Sequence, residues 1–138
     1  MTTHGAGDAR AFPTLVHALR DRAEQRPDGW AYTFLVDGDR HEHRVSYAEI
    51  HTRARGVARQ LAAHGARGAR VVLLYPPGID YIAAFFGCLY AGAVAVPAYP
   101  PDPVRLARSL SRLRGIVTDC SARFVLSTAA IEIGRAHV

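Results

Sequence analysis

The sequence predicts an α/β fold: a layered, mainly parallel sheet with an N-terminal β-hairpin. Three observations carry this. The first is Val71-Val72-Leu73-Leu74, a continuous apolar run that reads as a strand buried on both faces. The second is the apolar segment 79–91, which reads as a helix packed on several sides. The third is the order of the segments, in which strands and helices alternate through short links and so favour right-handed crossovers.

Each element has a local cause. Thr14 is placed to cap a helix over 15–26, with Leu15, Leu19 and Ala23 on one face. Pro27-Asp28-Gly29 stops it. Residues 30–36 are aromatic and β-branched, Asp37-Gly38-Asp39 makes a turn, and 40–45 returns as the second strand of a hairpin. Ser46 followed by Glu49 is a capping-box signature. It opens a helix to about residue 64, with Ile50, Ala54, Val57 and Leu61 at helical spacing and Gly65 just beyond its end. The strand over 71–74 stops at Pro76 and Pro77, which have no N–H to give a ladder. After the helix over 79–91, Gly92 leads to a short strand at 94–96 that ends at Pro97. Residues 104–118 form an amphipathic helix with Leu106, Leu110, Leu113 and Val117 as its stripe, and 123–126 is one more strand. No internal repeat is visible.

Composition narrows the function classes. The chain has 138 residues, enough for one ordinary core. All 17 basic residues are arginine, so no phosphate-gripping or catalytic lysine comes from this chain. The net charge of +5 is read mainly as codon bias. Cys88 and Cys120 form no CxxC pattern, and Cys88 lies in the apolar helix as a small hydrophobe, which suits a reducing, cytoplasmic setting. Residues 1–12 have no apolar signal segment and read as a loose tail. The uncharged stretch 81–96 is shorter than the ~20 residues a membrane helix needs, and two glycines interrupt it, so no membrane span is predicted.

Several side-chain groups invite a functional reading beside an ordinary one. Tyr75-Pro76-Pro77 and Tyr99-Pro100-Pro101 follow two strand ends, where open α/β sheets place ligand crevices. They could line an apolar tunnel; the favoured reading is that Pro-Pro ends each strand and fixes the next entry. Phe85, Phe86, Leu89 and Tyr90 could wall an apolar pocket, but aromatics at helical spacing are more often core. Asp80 suits the positive end of a helix dipole better than a role as a base. His41 and His43 share a strand face, yet two ligands do not make a zinc site. Arg105, Arg108, Arg112 and Arg114 lack the aromatic interleaving of single-strand binders, so they read as a solvated helix face, with no nucleic acid implied.

With these residues in hand, a resemblance emerges. AYTFLVDGD (31–39), VSYAEI (45–50), LLYPPGIDYIAAFFGCLYAGAVAVPAYPP (73–101) and, more weakly, LSRLRGIVTDCSARFVLST (110–128) resemble the N-terminal portion of fatty acyl-AMP ligases. These belong to the adenylate-forming superfamily, with acyl-CoA synthetases and amino-acid adenylation domains. The resemblance covers roughly residues 12–131. It implies a partial N-terminal subdomain over 13–131 of an enzyme that uses ATP and Mg²⁺ to turn a fatty acid into acyl-adenylate. The acyl group then passes to an acyl carrier protein, often at a polyketide or peptide synthase. The family's Ser/Thr/Gly-rich loop with Pro-Lys-Gly has no counterpart here, nor do its other nucleotide motifs. No catalytic, cofactor-binding or metal residue is therefore assigned within the chain, which is expected to be an inactive, truncated scaffold needing the remainder of the same enzyme. The alternatives are another superfamily branch, either acyl-CoA synthetase or amino-acid adenylation domain, and a complete non-enzymatic α/β interaction module.

Residues 132–138 are read apart. Ile133-Gly134-Arg135-Ala136-His137-Val138 is what ATC GGA AGA GCA CAC GTC encodes, the start of a common sequencing adapter. The hypothesis is that this tail is not native. A genomic copy whose frame runs through these residues into ordinary protein would refute it.

Overall fold

The computed structural model describes residues 11–36, 38, 40–128 and, by backbone alone, 134–135. The predicted loose tail at 1–12 lies almost wholly outside the described residues, as does most of 132–138. The element order is α1 (Leu15–Gln25), β1 (Trp30–Val36), β2 (His41–Ser46), α2 (Tyr47–Ala63), β3 (Arg70–Leu74), α3 (Ile79–Tyr90), β4 (Val94–Ala98), a 3₁₀ turn (Pro103–Arg105), α4 (Leu106–Cys120), β5 (Phe124–Ser127) and β6 (Gly134–Arg135).

The local signals act where the sequence places them. Thr14 Oγ1 accepts a hydrogen bond from the His17 backbone N–H at 3.3 Å. Ser46 and Glu49 close both halves of the capping box: the Glu49 N–H donates to Ser46 Oγ at 3.2 Å, and the Ser46 N–H to Glu49 Oε2 at 2.9 Å. Gly65 follows α2 at φ +70°, a left-handed conformation that suits glycine, and the Ala66 N–H donates to Leu61 O. β1 and β2 pair antiparallel, with a register irregularity between Trp30 and Tyr32.

The second sheet has the order β4-β3-β5-β6. β3 pairs parallel to both β4 and β5, and β6 pairs antiparallel to β5. Because β4 and β5 flank β3 on opposite sides, right-handed crossovers send α3 and α4 to opposite faces. Val71, Val72 and Leu73 on the central strand are fully buried, so both of its faces are covered.

Three expectations need correction. β4 continues through Pro97, which lies opposite Leu73. An edge strand pairs on one side only, so a missing N–H there breaks no ladder. Leu15 is exposed, because α1 meets the core through Leu19 alone. The stripe of α4 is not buried either: Leu106 is 50% and Leu110 39% exposed, with Ser109 the buried residue of that helix.

α3 joins two apolar clusters. Ala84 and Cys88 face Val71, Leu73, Phe124 and Leu126 on the sheet, with Val57 and Leu61 of α2. Ile79 and Phe86 join Leu19, Val45, Ile50 and Ala54, against which the hairpin residues Ala31, Tyr32 and Phe34 rest. α2 and α3 share the most extensive interface between helices. It is tightest at Gly87, where a Cβ would stand 2.5 Å from Val57 Cβ and 3.2 Å from the Ala54 carbonyl oxygen.

Gly87→Ala is expected to destabilise the chain. The better helix propensity of alanine recovers ~1 kcal/mol, but the collision is with the stem of a β-branched side chain and costs about 1–3 kcal/mol or more. Urea unfolding should show the loss, and adding Val57→Ala should recover part of it; a single variant as stable as the parent contradicts this packing.

Burial also sets a pH dependence. It pushes the Cys88 thiol from 9.0 up to about 12. Burial, with Asp80 and Cys88 nearby, pushes the Tyr75 phenol from 10.0 up to about 12. Both groups hold their protons more tightly when folded. Their contribution is complete below pH 9 and declines as pH rises from there towards 12. The urea midpoint should therefore fall between pH 8 and pH 11, and less steeply in Cys88→Ala than in the parent.

Candidate functional site: a crevice between two Tyr-Pro-Pro loops

The chain leaves β3 towards one face of the sheet and leaves its neighbour β4 towards the other. The loops therefore diverge, and a crevice opens between the two carboxyl ends. These loops are the two Tyr-Pro-Pro segments. A cavity of about 320 Å³ lies there, lined by Tyr75, Pro77, Tyr81, Pro97, Ala98 and Tyr99. The structure thus brings together the two motifs that the sequence keeps 24 positions apart.

The walls differ in rigidity. Tyr75 is 7% exposed and belongs to the sheet core. Tyr81 stacks on Phe85, with ring centroids 6.4 Å apart. Tyr99 is 74% exposed, and Arg112 lies 5.8 Å from its ring centre while approaching its carbonyl oxygen at 3.5 Å. Arg112 is the one member of the predicted arginine face that meets the crevice wall. Arg105, Arg108 and Arg114 are exposed to solvent.

A second cavity of about 420 Å³ shares Tyr75 and adds Arg53, Val57, Asp80, Ser127 and Thr128 at the end of β5. Asp80 occupies the first turn of α3, as its position in the sequence suggests, and pairs with Arg53 at 3.6 Å. Both side chains are well exposed, so the pair contributes little to stability.

The crevice can hold an apolar group but has little chemistry of its own. Three phenols are its titratable groups, and the Tyr75 hydroxyl, pushed up to about 12 by burial, keeps its proton at neutral pH and is no base. A triphosphate does not fit these residues. Pro76, Pro77, Pro100 and Pro101 have no N–H, so neither loop can form a backbone nest for anionic oxygens. The described residues also hold no group of three His, Cys, Asp or Glu that could bind a metal ion.

The remaining candidates lie elsewhere. Phe86 is core, and Phe85 packs against both apolar clusters. Leu89 and Tyr90 rest on the second cluster, away from the crevice, so the core reading of this aromatic group is the one realised. His41 and His43 are exposed on β2. Among the described residues no helix is long and apolar enough to cross a membrane. Tyr81 escaped the sequence reading: at helical spacing it looks like one more core aromatic, and only the path of the loops turns it towards the crevice.

Known proteins share this arrangement. The family of AMP-binding enzymes matches residues 19–137. The chain is 45% identical over 116 residues to the medium-chain-fatty-acid–[acyl-carrier-protein] ligase JamA of Moorena producens, covering 84% of this chain and 20% of JamA. It is 39% identical over 125 residues to mouse disco-interacting protein 2 homolog A, covering 89% of this chain and 8% of that protein. The fatty acyl-adenylate ligase of Legionella pneumophila, solved with acyl adenylate and pyrophosphate, superposes with a TM-score of 0.76 at 40% identity, over 84% of this chain and 20% of that one. The chain thus spans about a fifth of JamA and of the Legionella ligase. Match and fold together establish that it belongs to the AMP-binding enzyme family.

Proposed function

We propose that this chain is an N-terminal part of a longer ATP- and Mg²⁺-dependent fatty acyl-AMP ligase, cytoplasmic, that hands its product to an acyl carrier protein at a polyketide or peptide synthase. Within it, residues 13–131 serve as scaffold, 1–12 precede them as a tail, and 132–138 are foreign to the native protein. The carrying observation is the apolar crevice at the divergence of β3 and β4, walled by both Tyr-Pro-Pro motifs. Both motifs lie within 73–101, the longest segment that resembles fatty acyl-AMP ligases. Likeness to JamA and to the Legionella ligase supports the same branch.

On this reading the crevice receives part of the acyl chain. Its aromatic and proline walls exclude water from methylene groups, and burial of each CH₂ favours binding by ~0.8 kcal/mol. Nucleotide, metal and catalytic groups for the reaction come from the rest of the enzyme, since the residues of this crevice suit none of them. The chain contributes shape.

The test is fatty-acid-dependent ATP–pyrophosphate exchange. The longer protein should exchange, whereas residues 1–138 alone should not rise above background; turnover by the short chain overturns the scaffold role. In the longer protein, Ala98→Trp should fill the crevice and lower kcat/KM for fatty acid by roughly tenfold, with the KM for ATP unchanged. Equal use of fatty acids by parent and variant removes the crevice from substrate binding. Product analysis with carrier protein against CoA separates this branch from acyl-CoA synthetases.

A further inference from the structure

The opposite end of the sheet carries a groove of different chemistry. Its volume is about 900 Å³, and it runs between α1, α2 and the segment that follows α3. Arg20 enters from α1, Arg55 and Arg59 from α2, and Arg67 from the loop before β3. Four guanidiniums thus face a single lining carboxylate, that of Glu24. The described ion pairs, Arg44 with Glu42 and Arg53 with Asp80, use other arginines. So do the cation–π contacts, which involve Arg22, Arg44, Arg112 and Arg123.

This clustering has a cost that the fold does not offset. Arg55 and Arg59 stand four apart on one helix, where like charges repel. Arg67 lies beside Gly92, its Cγ 3.5 Å from where a Cβ would stand, an ordinary packing distance. His51 and Tyr90 add a half-buried polar pair to the lining, with Nδ1 2.9 Å from the hydroxyl. Burial, then Arg55 and then Arg20, lower the His51 pKa, and Glu24 opposes them weakly. Arg55 and Arg20 thus add to burial in disfavouring a proton on His51.

We propose that this groove binds a small polyphosphate anion, with the Arg20, Arg55, Arg59 and Arg67 guanidiniums as its ligands and His51 as an added donor. Guanidinium forks match phosphate oxygens in pairs, and two linked phosphates span several forks at once. A concave site of this size suits a small molecule better than a protein surface. Bound anionic charge offsets the part of the lowering at His51 due to Arg55 and Arg20, so binding favours the protonated imidazole. The His51 contribution to affinity then rises as pH falls through the ordinary histidine range, with Arg20 and Glu24 of α1, Arg55 and Arg59 of α2, Arg67 and Tyr90 as the other polar groups of the lining.

The experiment is calorimetric titration of the 138-residue chain with inorganic pyrophosphate at fixed ionic strength, with ADP and inorganic phosphate as further arms. One saturable site is expected for pyrophosphate, tighter than for phosphate. Arg55→Ser with Arg59→Ser should weaken it at least about tenfold. Arg108→Ser with Arg114→Ser, which lowers net charge equally on α4, should leave it unchanged. The ratio of affinity at pH 5.5 to that at pH 8 should be lower in His51→Gln than in the parent, protonation of pyrophosphate itself being common to both. ADP binding like pyrophosphate assigns the site to the phosphoanhydride itself; ADP binding more tightly assigns it to a nucleotide. Absence of saturable pyrophosphate binding, or equal weakening by the α4 pair, overturns the proposal.

Discussion

The close approach of α2 and α3 at Gly87 governs the rest of this fold. With no Cβ at that point, Val57 and the Ala54 carbonyl come within reach of the α3 backbone. That contact lets one helix serve two clusters. On one side Ala84 and Cys88 reach the sheet; on the other Phe86 and Ile79 hold the hairpin and α1. Wider spacing would leave a gap beneath both clusters, and an unfilled gap costs stability in proportion to its volume. The small residues of α3, Ala83, Ala84, Gly87 and Cys88, are buried for this reason. The same closeness fixes the start of α3, and hence the direction in which the first Tyr-Pro-Pro loop leaves β3.

A consequence of topology follows. β3 lies between its two parallel partners, so the connections from β3 and β4 part to opposite faces. A crevice at that divergence exists whatever residues occupy the loops; the residues decide what it accepts. Prolines stiffen both rims and remove four N–H groups from them, while Tyr75, Tyr81 and Tyr99 supply apolar area. Holding an anion needs converging donors, and those cannot come from a proline-rich rim. The sequence chemistry of this crevice is thus selective for an apolar ligand before any substrate is considered.

Much of this architecture was legible in the residues. Capping box, hairpin turn, glycine stops and buried strand runs are local signals, and the helix and strand assignments derive from them. The misreadings share a cause: each depended on what lies beside an element rather than within it. Pro97 ends a central strand but not an edge strand, and edge position is a property of the sheet. The stripes of Leu15 and Leu106 are amphipathic by spacing, yet exposure depends on the presence of a facing layer. Gly87 read as an interruption of an apolar run, whereas it is the contact that lets the run pack. The pairing of the two Tyr-Pro-Pro motifs into one cavity, and of His51 with Tyr90 across 39 positions, required the crossover path as well.

The two ends of the parallel sheet divide their chemistry sharply. Apolar walls and proline rims occupy the carboxyl ends of β3 and β4, while arginines outside the ion pairs of the described residues gather near their amino ends. An arginine-rich composition alone would scatter charge over all exposed faces. It does not account for four guanidiniums converging on one concavity with a hydrogen-bonded histidine and tyrosine in its lining. At the smaller crevice, by contrast, Arg112 stands at the rim, over the exposed Tyr99 ring. Charge kept away from an apolar crevice avoids the cost of desolvating it there when a ligand enters. Charge gathered at the far end keeps its field available to an anion. The sheet separates the two, so occupancy of one end need not displace the ligand of the other.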